Sequence, residues 1–183
     1  MSRLAPLPAL AAIAAALLLT AGCAVGASAS GRGDYPEIAI LRDRPVAPAV
    51  SGPLDGGGRL SLAADRGHVV VLNFWGSWCP ACRAEAPGLA AADSRFAAAG
   101  VRFVGIDVAD NQASALAFMR RFRISYPSVD DPGDAIVLNF HKIIPIAEFP
   151  STLVISRHGR IAARIIGSAT YPDLERLIRK VAG

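Results

Sequence analysis

Histidine, methionine and cysteine are all scarce: the 183-residue chain has three His, two Met and three Cys. His68, His141 and His158 are scattered and there is no second Cys-x-x-Cys, so a zinc site would have to draw its two further ligands from Asp or Glu, an odd set. No methionine-rich or histidine-rich tract encourages copper binding. Charge is nearly balanced, at +4 overall. The basic spots Arg120-Arg121-Arg123 and Arg179-Lys180 fall on polar helix faces, so no nucleic-acid groove is read from them. The apolar run Leu10 to Leu19 is too short to span a bilayer as a stable helix. Internal repeats are absent, and no cofactor is implied.

What is present is Cys79-Pro80-Ala81-Cys82, preceded by Trp78 and by the run Val69 to Phe74. Two cysteines so spaced close a disulfide when a helix begins on the first of them after a buried strand, which makes them a redox site. At a helix N-terminus, unpaired N–H groups and the dipole favour the Cys79 thiolate, the nucleophilic form. Cys82, one turn further in, resolves the mixed disulfide. Pro80 suits the first helical turn because its missing N–H costs nothing there. Trp78 either covers one side of the pair or simply packs. The alternatives for the pair itself are an inert staple or half a metal site. A disulfide closing so short a loop constrains little unfolded chain, which argues against the staple.

The front of the chain reads as an export signal, with Arg3 followed by the Leu10–Leu19 h-region. It runs into Leu19-Thr20-Ala21-Gly22-Cys23, which resembles the lipobox of bacterial lipoproteins, although Thr20 stands where leucine is commoner. The resemblance implies cleavage before Cys23 and lipid attachment to its sulfur; an ordinary signal peptide with an incidental cysteine is the alternative. Lipidation would remove the odd thiol and leave one pair in a disulfide-permissive compartment. The expected organisation is a signal peptide over 1–22, a lipidated tether over 23–48 and one domain over 49–183.

Within that domain, Ala49–Leu54 and Arg59–Leu62 flank the turn residues Asp55-Gly56-Gly57-Gly58 and predict a hairpin. Val69 to Phe74 predicts an interior strand buried on both faces. A helix from Cys79 to Gly100 follows, with Pro87 expected to kink it. Val101–Asp107 is read as a strand, and Asp110 or Asn111 as the cap of a helix that carries Leu116, Met119 and Phe122 on one side. Asp130-Asp131-Pro132-Gly133 reads as a turn and Ala135–His141 as a short helix. Thr152–Ser156 and Ile161–Ile166 form a second hairpin. The last helix starts near Thr170 and buries Leu174, Leu177, Ile178 and Val181. The stretch Tyr35–Pro48 is ambiguous and could wrap the domain. The fold class is α/β, with a mixed central sheet covered on both faces.

Asn73-Phe74-Trp75-Gly76-Ser77-Trp78-Cys79-Pro80-Ala81-Cys82-Arg83-Ala84-Glu85-Ala86-Pro87 resembles the active-site segment of thioredoxin-like proteins. It resembles the membrane-anchored, extracytoplasmic TlpA/ResA branch more than cytoplasmic thioredoxin. Phe149-Pro150-Ser151-Thr152 resembles that family's cis-proline loop. The resemblance implies a thioredoxin-like fold with an N-terminal β-hairpin extension, and a cis Pro150 beside the disulfide against which an extended substrate pairs. It also implies a role for Glu85 in adjusting cysteine acidity; a surface glutamate is the alternative. Asn73 stands where thioredoxin itself has a buried aspartate, and it cannot accept a proton. The branch shares this asparagine, which shifts proton handling to Glu85 or water. The apolar stretch Ile143 to Phe149 either shapes the substrate surface or belongs to the core.

The reaction class is thiol-disulfide exchange, and the branch implies reduction of protein disulfides outside the membrane, apocytochrome c among the targets. Implied partners are protein disulfides or dithiols and a membrane thiol-transfer protein, with the chain itself a monomer. An oxidant that introduces disulfides is the alternative within the class. A peroxiredoxin-like peroxidase shares the fold, but such enzymes carry a threonine three residues before the reactive cysteine, and here that residue is Gly76. A copper-holding binding module is the non-enzymatic alternative.

Overall fold

The computed structural model describes residues 36–145 and 147–183. Cys23, the signal segment and the first half of the tether lie outside the described residues. Val70–Trp75 forms a strand in which all six residues are buried. It can bury every side chain because it has a neighbour on each edge and a packed layer on each face. In chain order the strands are β1 (Glu37–Ile40), β2 (Ser51–Pro53), β3 (Arg59–Ser61), β4 (Val70–Trp75), β5 (Arg102–Val108), β6 (Ser128–Asp131), β7 (Ser151–Ile155) and β8 (Ile161–Ile166). The helices are α1 (Pro80–Phe96), α2 (Gln112–Phe122), α3 (Ala135–Leu138) and α4 (Tyr171–Ala182).

Six strands form one sheet in the order β1-β8-β7-β4-β5-β6, and β2 and β3 form the separate hairpin. β4, β5 and β6 run parallel, while β7 is antiparallel to both β4 and β8. This is the mixed α/β thioredoxin-like fold with an N-terminal antiparallel hairpin. Alternation along β4 feeds two cores. Val70, Leu72 and Phe74 join Val137, Phe140 and Ile144 on one face. Val71 joins Leu89, Phe96, Leu174, Leu177 and Ile178 on the other. A third cluster holds Trp75, Cys79, Cys82, Ala86, Ala115 and Phe118.

Several details differ from the sequence reading. The ambiguous N-terminal stretch contributes β1, which pairs antiparallel with β8 at the sheet edge. Asp130 and Asp131 belong to β6 rather than to a turn, because Ser128–Asp131 pairs in register with Gly105–Val108. α2 fully buries Ala115 and Phe118, which the sequence reading did not name, while the expected Met119 and Phe122 pack partly covered against the same cluster. Phe118 stacks on Trp75 at 4.4 Å, which sets that face. Pro87 lies exposed inside α1, and a left-handed Gly100 ends the turn that follows the helix, as the sequence reading has it. α4 buries Leu174, Leu177 and Ile178. Among the described residues, no helix is long and apolar enough to cross a membrane.

Candidate active site

The C-terminal end of β4 delivers the chain into Gly76-Ser77-Trp78, and α1 starts immediately afterwards. Cys79 is the N-cap of α1, and its Sγ accepts the backbone N–H of Cys82 at 3.1 Å. Pro80 occupies the first helical turn. A sulfur at this place receives an otherwise unpaired helix N–H and the positive end of the dipole, both of which favour a thiolate. The two sulfurs form a disulfide, with Cα atoms 5.3 Å apart, and both residues are buried.

The loop before Cys79 is pinned to the end of β5. Ser77 donates its N–H to Asp110 at 2.6 Å, and the Trp78 indole donates to the Val108 carbonyl at 3.1 Å. Arg83 reaches back to the Ser77 carbonyl. Trp78 is 47% exposed and meets Phe149 edge to face at 5.8 Å, so the two rings form an accessible apolar ledge beside the cysteines. Gly76 is required by that ledge, since a Cβ there would collide with the Trp78 indole. Phe149 packs against the cluster that contains both cysteines, and the Phe149–Pro150 peptide bond is cis. An open cleft of about 720 Å³, lined by Ser77, Arg83, Phe118, Arg121 and Phe122, lies along the helical side.

Glu85 is buried, on the same face of α1 as Cys82. Its two oxygens accept the Asn73 side-chain amide at 2.8 Å and the Ala169 backbone N–H at 2.8 Å. Asn73 also donates to the Thr152 hydroxyl at 3.1 Å, and Asn73 and Thr152 are register partners on β4 and β7. Burial pushes the Glu85 carboxyl up to about 8, although both of its hydrogen bonds oppose the shift. At neutral pH the group therefore keeps its proton in the folded chain, close to the point where it can give or take one.

Sequence reasoning did not single out the Thr152 hydroxyl, the Ala169 amide or the Asp110 carboxylate. The first two are contacts across 79 and 84 residues, which no local pattern encodes. Asp110 and Asn111 looked interchangeable as caps. Asn111 caps α2 by accepting the Ser114 N–H, which leaves Asp110 to hold Ser77.

The AhpC/TSA family matches residues 45–164 of the chain. The thiol-disulfide oxidoreductase ResA of Geobacillus kaustophilus is 33% identical over 120 residues, which cover 66% of this chain and 67% of that one. Among solved structures, a thiol:disulfide interchange protein of the thioredoxin family from Chlorobium tepidum superposes with a TM-score of 0.71 at 28% identity, covering 79% of this chain and 100% of that one. A DsbF homologue from Corynebacterium diphtheriae gives a TM-score of 0.69 at 30% identity, covering 82% and 96%. With a disulfide-forming Cys-x-x-Cys at the helix start of a thioredoxin fold, the chain belongs to the AhpC/TSA family as a ResA/DsbE-like thiol-disulfide oxidoreductase.

Proposed function

We propose that the protein reduces disulfides of exported proteins on the outer side of the cytoplasmic membrane, held there by a lipid on Cys23. The observation that carries the redox reading is the Cys79 sulfur at the N-cap of α1, with the buried Glu85 and Asn73 beneath it. In the reduced protein the Cys79 thiolate attacks a substrate disulfide. One substrate sulfur leaves as a thiolate and a Cys79–substrate disulfide forms. Cys82 then loses its proton and attacks Cys79 Sγ. That closes the Cys79–Cys82 bond and releases the second substrate thiolate, so two electrons pass to the substrate. A membrane thiol-transfer partner returns them.

Glu85 suits the second step. A carboxyl titrating near 8, on the same helix face as Cys82, exchanges protons with that thiol at little cost in either direction. Asn73 positions it and takes no proton. The Trp78–Phe149 ledge and the loop at Pro150 offer the surface along which an extended substrate segment lies. Apocytochrome c thiols are one target class that the family resemblance supports. Residue 76 counts against a peroxidase role, since a threonine there would drive its Cβ into Trp78.

The test is to express Cys82→Ser in the native cell envelope and identify proteins held to Cys79 through mixed disulfides. Exported dithiol proteins and one membrane thiol carrier are expected. Capture of nothing protein-sized would overturn the reading. Direction is read separately from the Cys79–Cys82 potential: a value near about –270 mV marks a reductant and one near about –120 mV an oxidant.

A further inference from the structure

Four carboxylates are buried among the described residues: Asp55, Glu85, Asp107 and Asp131. Two of them are compensated. Glu85 receives two N–H groups, and Asp131 receives the N–H groups of Ile136 and Val137 at the start of α3. The other two are not. All four carboxylate oxygens of Asp55 and Asp107 are buried with no hydrogen bond of normal geometry, and only the nearby Ser128 hydroxyl offsets the burial of Asp55. Oxygens of Asp55, Asp107 and Asp130 lie within 4.8 Å of one another.

The strand register explains the clustering. Asp107 and Asp130 are partners on the parallel strands β5 and β6, so their side chains project from the same side of the sheet. Asp55 is brought over them by the turn of the β2–β3 hairpin, where its backbone N–H donates to the Ser128 carbonyl. The charged groups acting on Asp55 and Asp107 are all acidic, with Asp110 and Asp130 acting on both. Among the described residues, nothing of opposite charge is set against the burial of either group. Left as they stand, these groups are among the costliest arrangements a folded chain can hold.

We propose that Asp55, Asp107 and Asp130 form a binding site for a hard divalent cation of the calcium or magnesium class, at the C-terminal ends of β5 and β6. An all-carboxylate donor set selects such ions over zinc or copper, which prefer imidazole and thiolate. The site is separate from the cysteines and independent of the redox reading. It borders the active-site loop all the same, since the strand end that carries Asp107 continues to Val108 and Asp110, which hold Trp78 and Ser77.

The test uses the purified full chain stripped with chelator and titrated calorimetrically with CaCl2 and with MgCl2. One equivalent of one of these ions is expected to bind, with a Kd on the order of 10⁻⁴ M for a site with three protein carboxylates. Tm should rise by about 5–10 °C at a hundredfold excess of that ion over Kd. Asp107→Asn should abolish both responses while leaving the ion-free Tm equal to or above that of the wild type, because the amide is not repelled by Asp55, Asp110 and Asp130. Asp130→Asn, at a less buried position, serves as the second variant should the first fold poorly. The proposal is overturned if neither ion gives heat or moves Tm in the wild type. A response that survives in both variants overturns it equally.

Discussion

Replacing Glu85 with glutamine should invert the order of stability of the two proteins as pH rises. The wild-type carboxyl is raised from 4.5 to about 8 in the folded chain. A raised acid is fully stabilising below its unfolded pKa, and that contribution is lost as pH climbs toward the folded value. Over that window the unfolded chain has released a proton that the folded chain still holds, so wild-type stability falls by about 1.4 kcal/mol per pH unit. From pH 5 to pH 8 the loss is about 4 kcal/mol, and above the folded value it levels off. The amide introduced by Glu85→Gln does not titrate, but it has one acceptor oxygen for two N–H donors, Asn73 and Ala169. That mismatch costs about 1–3 kcal/mol at any pH. The variant should therefore be weaker at pH 4, equal at about pH 5–7 and stronger at pH 9. Urea unfolding of both oxidised proteins across this range reads the difference directly. Asp55 and Asp107 titrate in both and cancel. A difference that stays constant from pH 5 to pH 9 would refute the reasoning, because Glu85 would then be ionised throughout.

Asn73→Ala removes the donor shared by Glu85 and Thr152, and should cost about 1–3 kcal/mol in urea unfolding of the oxidised protein. An unchanged midpoint would show that the network is not stabilising. Gly76→Ala places a Cβ against the Trp78 indole, which must leave the Val108 carbonyl. A loss of about 1–3 kcal/mol and a changed tryptophan emission are expected, and an unaltered spectrum would contradict the packing described.

The parts of the fold most legible in the sequence are those whose burial is written locally. The unbroken run at β4, the i, i+3, i+4 pattern of α4 and the turn residues of both hairpins each carry their own period or punctuation. β6 was not legible: Asp130 and Asp131 resemble turn residues, and only pairing with β5 makes them a strand. β1 was hidden in the same way, since its partner β8 lies more than a hundred residues away. The inward face of α2 was legible in part: Met119 and Phe122 pack on the core as expected, while the fully buried Ala115 and Phe118 are picked out by contact with Trp75. At the site, the Cys-x-x-Cys, its strand and its helix announce themselves. The acceptor and donor pairs that set the protonation of Glu85 do not. They arise where β4, β7, α1 and the segment before α4 converge, and no one of those segments contains the information.

The central claim is that Cys79 is the attacking sulfur and Cys82 the resolving one. It is tested most directly by mixing the reduced protein with a purified protein disulfide and following the products by mass spectrometry. The wild type should release reduced substrate and end with the Cys79–Cys82 bond closed. Cys82→Ser should stop at a stable Cys79–substrate adduct, and Cys79→Ser should form none. An adduct through Cys82 in Cys79→Ser at the wild-type rate, or substrate reduction by that variant, would contradict the account.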